Sequence, residues 1–243
     1  MTETVGSHIS IGKNLYATIL TYHSVGNKPF QIFTGNPRTG IRNYPKNSKE
    51  ISEYIVENNM KLYIHSSYIV NLCNDKLSDY IDKEYLIGES LSAKGVVYHV
   101  GKYLNNDIKD SVEAMKSNIH NILEDNKESN VKFLLETPAG QKSELLTDID
   151  DFINFCKEFK CSNFGVVIDT CHVFASGYDP LEYLQKVYNS GISIDLVHLN
   201  DSKTRLNSRV DRHERIGEGF IGLKKLTECI EFCKKYGIDM VNE

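Results

Sequence analysis

The sequence predicts an α/β protein built as a (β/α)8 barrel, and three observations carry that expectation. Short apolar, β-rich runs alternate with helical patterns along the chain, the signature of a parallel sheet. Six of those runs stop at a histidine or a carboxylate: residues 61–64 at His65, 95–98 at His99, 131–135 at Glu136, 165–168 at Asp169, 194–197 at His198 and 238–242 at Glu243. The length, 243 residues, suits one barrel with a sizeable core, so a single domain over 1–243 is expected.

The elements follow in order. A first strand is expected over 4–10 and a helix over 15–22, then a second strand over 30–34 and a Gly/Asn/Pro loop to Tyr44. Ser48 is the expected N-cap of the next helix, whose inner face is Ile51, Tyr54 and Ile55. The third strand, 61–65, precedes a helix near 78–93, and the fourth covers 95–99. The helix over 107–123 is the clearest: Ile108, Val112, Met115, Ile119 and Ile122 form one stripe, with Asp107 and Asp110 at its positive end. The fifth strand is 131–136. Asp148 then caps a helix with Ile149, Phe152, Ile153 and Cys156 inward. The sixth strand, 165–169, precedes a helix over 179–188 with Pro180 at its first position, where a missing N–H costs nothing. The seventh strand is 194–198, a helix near 223–235 carries Leu226, Ile230 and Cys233, and the eighth strand is 238–243. Eight strands with seven helices make a barrel lacking its last helix, so a truncated chain is expected.

Composition excludes several classes. A 40% hydrophobic and 25% charged chain is globular rather than disordered. No apolar stretch approaches the length of a membrane span. The first ten residues have no basic segment followed by an apolar run, so an intracellular protein is expected. The six cysteines form no C-x-x-C pair and read as reduced, mostly buried thiols. A net charge of −5 disfavours a general nucleic-acid coat. It says little about a local site, because bound dications reverse the field there.

The strand-end residues carry the chemistry. In a parallel barrel all strand carboxyl ends open on one face, where active sites form. His65, His99, Glu136, Asp169, His198 and Glu243 therefore converge, and His172, Asp211 and His213 lie just past strand ends. A single histidine at a strand end is commonly a packed core residue, and a single acid there is commonly a turn former. Six such endings in one chain are not independent accidents. Nine nitrogen and oxygen ligands exceed the four of one tetrahedral zinc and suit two or three ions sharing a bridging carboxylate. Imidazole with carboxylate suggests Zn2+, with Mn2+ as the competitor. Such a cluster generates a nucleophile from water at neutral pH and neutralises charge on a phosphate ester.

The surroundings fit a phosphate backbone. Lys203, Arg205, Arg209, Arg212 and Arg215 crowd the long loop after the seventh strand, and Arg38 and Arg42 add to the rim. Tyr68 and Ile69, just past His65, could pack or could wedge into a base stack. His23 and His120 are expected to be solvated on helices, and His8 to point into the barrel behind the ligands. Cys171 has acidic neighbours and is a poor nucleophile.

These residues resemble the endonuclease IV family of apurinic/apyrimidinic endonucleases, over residues 5 to 243. The matching stretches are Gly6-Ser7-His8-Ile9-Ser10, His65-Ser66-Ser67-Tyr68-Ile69-Val70-Asn71, Leu134-Leu135-Glu136-Thr137-Pro138-Ala139-Gly140-Gln141, Gly165-Val166-Val167-Ile168-Asp169-Thr170-Cys171-His172, and His198-Leu199-Asn200-Asp201-Ser202-Lys203 followed by Asp211-Arg212-His213. Val100 and Asn207 depart from the family pattern, which has proline and glycine there. The resemblance implies a TIM barrel with three zinc ions that cuts DNA 5′ to abasic sites, with a 3′-phosphodiesterase activity. It implies that His65, His99 and Glu136 hold one zinc, that the catalytic carboxylate Glu136 bridges to a second with Asp169, His198 and Glu243, and that His172, Asp211 and His213 hold the third. Arg38, Tyr68 and Ile69 match its DNA-penetrating positions, and Lys203 and Arg212 would meet the backbone. The partner implied is double-stranded DNA with abasic sites or 3′-blocked ends, bound by a monomer. Two other readings stay open: a metal-dependent sugar isomerase-like barrel and a non-catalytic DNA-binding barrel.

Overall fold

The computed structural model describes residues 4–41, 45–74 and 78–243. Arg42, one of the basic residues expected on the rim, lies outside them. Eight parallel strands close into a barrel: β1 (Gly6–His8), β2 (Phe30–Phe33), β3 (Leu62–His65), β4 (Gly95–His99), β5 (Lys132–Glu136), β6 (Phe164–Asp169), β7 (Ile194–His198) and β8 (Asp239–Asn242). Each pairs with its sequence neighbours, and β1 closes against β8 with Gly6 beside Val241. Around them lie α1 (Leu15–Ser24), α2 (Ser48–Glu57), α3 (Ser78–Ser90), α4 (Ile108–Asp125), α5 (Ile149–Cys156), α6 (Thr170–Ala175), α7 (Pro180–Asn189) and α8 (Gly222–Tyr236). The TIM-barrel fold expected from the sequence is the one observed.

Two apolar layers hold it. Alternate residues of six strands, Tyr63, Val97, Leu134, Val167, Leu196 and Val241, fill the barrel interior and are almost fully buried. The opposite faces of the same strands pack on the helices, so a strand such as β3 is buried along its whole length. Burying each of these large side chains is worth about 1.5–3 kcal/mol. The amino-terminal end of the barrel is closed by ion pairs: Lys61 Nζ lies 2.6 Å from Asp239 Oδ1 and Lys132 Nζ 2.6 Å from Asp195 Oδ1. Charge there is structural, which leaves the carboxyl-terminal face for chemistry.

Helix starts follow the caps read from the sequence in most cases. Asp107 accepts from the backbone N–H groups of Lys109 and Asp110, Asp148 from Asp150 and Asp151, and Asp179 from Leu181 and Glu182 ahead of Pro180. Gly237 ends α8 with φ of +68°, a left-handed turn in which a side chain would be strained. Two expectations are corrected. Ser48 is the first residue of α2 rather than its cap; Asn47 holds the cap position, without a side-chain hydrogen bond. His23 is not solvated: it is half-buried, with Nδ1 2.7 Å from the Tyr54 hydroxyl, because α1 packs against α2 at that point. The segment after β6 also holds a short helix, α6, for which the sequence offered no expectation. His120 is exposed, as expected.

Candidate metal centre

Each candidate ligand reaches the mouth because its strand ends there. His65 closes β3, His99 closes β4, Glu136 closes β5, Asp169 closes β6 and His198 closes β7, while Glu243 directly follows β8. Asp169 also caps α6, accepting from the His172 N–H at 2.8 Å, so one short helical turn brings His172 back over the mouth. Asp211 and His213 come from the loop after β7, which folds into a small hairpin pairing Asp201–Ser202 with His213–Glu214.

The nine residues form a continuous cluster with Glu136 at its centre. Its Oε2 lies 3.4 Å from His65 Nε2 and 3.1 Å from His99 Nε2. Its Oε1 lies 2.9 Å from His198 Nδ1 and 3.5 Å from His172 Nδ1. Glu243 Oε2 is 3.2 Å from His198 Nδ1. On the far side, Asp211 Oδ2 is 3.4 Å from His172 Nε2 and its Oδ1 is 3.0 Å from His213 Nε2. Ligand atoms gather into three sets, each within 4.8 Å: His65, His99 and Glu136; Glu136, Asp169, His198 and Glu243; and His172, Asp211 and His213. These are residues that the resemblance names as ligands, brought to one mouth. A further set of Asp169, Cys171 and His213 is a poorer one, since burial pushes the Cys171 thiol up to about 12.

The imidazoles are oriented from behind. His65 Nδ1 donates to the Ser66 carbonyl at 2.7 Å, which turns the lone pair of Nε2 to the cluster. His172 Nδ1 donates to the Thr137 carbonyl at 2.8 Å, freeing Nε2 toward Asp211. His198 Nε2 donates to Gln31 Oε1 at 2.9 Å, leaving Nδ1 toward the carboxylates. Gln31 in turn donates to Glu243 Oε1 at 2.7 Å. Asn200 donates to Asp169 Oδ2 at 2.7 Å and accepts the Glu243 backbone N–H at 2.9 Å. Glu243, whose side chain is 15% exposed, is therefore anchored by both backbone and side chain. His8 points into the barrel as expected, with Nδ1 3.3 Å from Glu243 Oε1.

The electrostatics keep Glu136, Asp211 and Glu243 ionised. Burial alone would push Glu136 up, but His99, His198 and His65 outweigh it and hold it well below the usual carboxylate range. Burial opposes ionisation of Asp211 and Glu243 too, and their histidine neighbours pull both strongly down. His65, His172, His198 and His213 move the other way: burial would lower His198, for example, yet Glu243 and Glu136 raise it to about 9. Buried Glu136 Oε2 and His213 Nε2 have no hydrogen-bond partner, although both lie in the midst of the ligands. An anionic oxygen and an imidazole nitrogen left without partners inside a cluster of bases fit a cation.

The expected nucleic-acid contacts surround this centre. Tyr68 and Ile69 protrude from the β3 loop, with Tyr68 56% exposed, and Arg38 is exposed on the β2 loop. The two loops are joined: the Tyr68 N–H donates to the Pro37 carbonyl at 2.9 Å and the Ser67 hydroxyl to the same carbonyl at 2.8 Å. Lys203 and Arg212 are exposed on the hairpin, and Arg212 Nη1 donates to the Asp211 carbonyl at 2.7 Å. A cavity of about 230 Å³ runs from Tyr68 past His99 and Glu136 to His213. A larger one of about 440 Å³, lined by Leu15, Ile32, Ile51 and Leu91, has no acid or histidine among the described residues that line it.

Sequence reasoning missed Gln31, Asn200 and Glu84. Gln31 interrupts the apolar run of β2, which is the signal that could have found it. Glu84 is a fully buried acid on α3 whose Oε1 accepts the Ser67 N–H at 3.2 Å, with the Ser66 and Tyr98 hydroxyls beside its carboxyl. Burial pushes its carboxyl up to about 7. Its folded value is thus above its unfolded one, so the protonated acid stabilises the fold fully below pH 4.5, and that stability is lost as pH rises through 7. Relative to wild type, Glu84→Gln is expected to gain on the order of 3 kcal/mol between pH 5 and pH 8. Melting curves of both proteins at the two pH values test this, and a stability difference that does not change with pH would sink it.

Residues 22–243 match the family model described as xylose isomerase-like TIM barrel. The chain is 32% identical to a probable endonuclease 4 of Mycoplasmopsis pulmonis (strain UAB CTIP), over 93% of this chain and 87% of that protein. It is 33% identical to a probable endonuclease 4 of Persephonella marina (strain DSM 14350 / EX-H1), over 90% of this chain and 83% of that one. Among solved structures, endonuclease IV from Thermus thermophilus superposes with a TM-score of 0.80 at 25% identity, covering 99% of this chain and 91% of the other.

Proposed function

The chain belongs to the endonuclease IV family of xylose isomerase-like TIM barrels, and on that premise we propose that it is a DNA-repair hydrolase. In this reading it cleaves the phosphodiester 5′ to an abasic site and leaves a 3′-hydroxyl and a 5′-deoxyribose phosphate. Blocked 3′ ends are substrates of the same site. The observation that carries the reading is Glu136: one buried, ionised carboxylate shared by two of three donor sets, its Oε2 facing the Nε2 atoms of both His65 and His99.

His65, His99 and Glu136 would hold one Zn2+, Glu136, Asp169, His198 and Glu243 a second, and His172, Asp211 and His213 the third, with Mn2+ as a substitute. Bound there, the ions supply a water nucleophile at neutral pH and take up charge on the phosphate ester. The chain's residues do the rest. Gln31, Thr137 and the Ser66 carbonyl fix the imidazoles, so little reorganisation is left for the reaction. Tyr68 and Ile69 enter the duplex where the base is missing, and Arg38 holds the strand beside them. Extrusion of an abasic sugar is cheaper than base flipping because no base pair is lost. Lys203 and Arg212 meet the backbone. Among the described residues no helix is long and apolar enough to cross a membrane. A sugar isomerase-like site leaves the set of His172, Asp211 and His213 without a task.

The test is a duplex carrying one synthetic abasic site, which the purified protein is expected to nick on the 5′ side. Metal analysis is expected to find about three zinc ions per chain, one for each donor set. One ion or none would remove the site as described. Activity lost to brief EDTA treatment would point to loosely held Mg2+ in place of Zn2+.

A further inference from the structure

Lys102 is the one lysine or arginine among the described residues that line the cavity of the metal centre. It stands three residues past His99, the end of β4. Its backbone is fixed to an unusual degree for a loop. Asn71 grips it with both ends of its amide, donating to the Lys102 carbonyl at 2.9 Å and accepting the Lys102 N–H at 2.8 Å. Lys102 also forms an isolated antiparallel bridge with Glu144. On either side, the Tyr103 N–H donates to the Ser143 carbonyl at 3.0 Å and the Leu145 N–H to the Gly101 carbonyl at 3.0 Å. Two neighbouring loops thus hold this one position against the mouth.

The side chain, in contrast, is left available. Its ammonium is 3.7 Å from Glu144 Oε1, outside hydrogen-bonding distance, and the lysine side chain is 42% exposed. Glu144 is already engaged, since its Oε2 accepts the Gln141 N–H at 2.9 Å. A cation pinned by its backbone at the wall of a cavity of acids and imidazoles, with a loosely held ammonium, suits an anionic group of the ligand rather than a structural ion pair. A compact ammonium on a flexible stem suits a single phosphate oxygen.

We propose that Lys102 contacts a backbone phosphodiester of the bound nucleic-acid strand and so adds a phosphate subsite to the metal centre. The proposal rests on the nuclease reading above. Phosphate contacts position a strand without reading its sequence, so removing one weakens binding uniformly and lowers the salt dependence of binding.

Binding of the zinc-loaded protein to an abasic duplex is followed by fluorescence anisotropy over a range of salt, beside the nicking assay on the same duplex. Lys102→Met keeps the apolar stem and removes the charge. It is expected to weaken binding at low salt by about tenfold and to lower the slope of log affinity against log salt by about one. Lys102→Arg is expected to restore the slope. An unchanged slope and affinity in Lys102→Met, with wild type nicking the duplex, overturns the Lys102 subsite alone. A slope that depends on Lys102 in a wild-type protein that binds but does not nick keeps the subsite and overturns the nuclease reading. Wild type that neither binds nor nicks overturns both.

Discussion

Glu136→Gln is expected to abolish nicking of abasic DNA, lowering the rate on the order of 10³-fold or more, while leaving the barrel folded. The carboxylate touches two of the three donor sets, so its loss removes a ligand from both at once. Glutamine keeps the shape and one acceptor oxygen but not the charge. Part of the field at His65 and His198 comes from that charge, which acts together with Glu243 in raising His198 to about 9. Glutamine also brings an NH2 group into a space where three imidazole nitrogens and neighbouring carboxylates compete for a cation. Bound zinc should fall from about three ions per chain to about one, retained by His172, Asp211 and His213. A variant that nicks at the wild-type rate would remove Glu136 from the centre of the mechanism. A variant that loses activity with a full zinc complement would confine its role to a step after metal binding.

Asp201→Ala is the largest expected effect on stability that also reaches the site. Asp201 is fully buried, and its two carboxylate oxygens gather the backbone N–H groups of the following loop. Oδ1 accepts from Ser202 at 2.8 Å and Ile221 at 2.9 Å; Oδ2 accepts from Gly217 and Gly219 at 3.0 Å and from Gly222 at 3.2 Å. The loop approaches so closely that a Cβ on Gly219 would run into the Ser202 carbonyl and Asp201 itself, which is why glycine is needed there. Alanine leaves these donors without an acceptor, at a cost of about 3–5 kcal/mol after partial hydration. For a chain of this size the melting temperature should fall by roughly 10 °C. The same loop anchors the hairpin that presents Asp211 and His213, through the pairing of Ser202 with His213. Zinc should therefore drop by about one ion, from the His172 set, while the other two sets keep theirs. A melting temperature within a couple of degrees of wild type, or an unchanged zinc content, would show that the loop is held by other contacts.

Much of the barrel is legible because its strands are apolar runs ended by a polar residue. That contrast survives in sequence when both faces of a strand are buried. The segment after β6 is not legible as a helix. Cys171, Val173 and Ala175 are buried on nearly every side, so they carry no amphipathic stripe, and the only helical signal is Asp169 capping three residues ahead. His23 defeats a local reading for a related reason: its partner Tyr54 lies 31 residues away, and no local pattern records the pairing of two helices. Gln31 and Asn200 escape notice because their importance lies in what they face. A glutamine in an apolar strand looks like an interruption until the register turns it toward His198 and Glu243. Ser48 reads as a cap because its residue type favours one, yet the helix begins one residue earlier than that role requires.

The sequence by itself determined which residues could meet. In a parallel barrel the order of strands along the chain sets their order around the ring, and every carboxyl end opens on the same face, so a ligand written at a strand end has one place to go. The tertiary structure alone decided the distances between those ligands and which atom of each is offered. Strand stagger and the folded loop after β7 bring together groups as distant as Gln31 and Glu243, 212 residues apart, and the hydrogen bonds behind each imidazole choose the nitrogen that faces the centre. Those bonds are set by distances across the closed barrel, which no local stretch of sequence specifies.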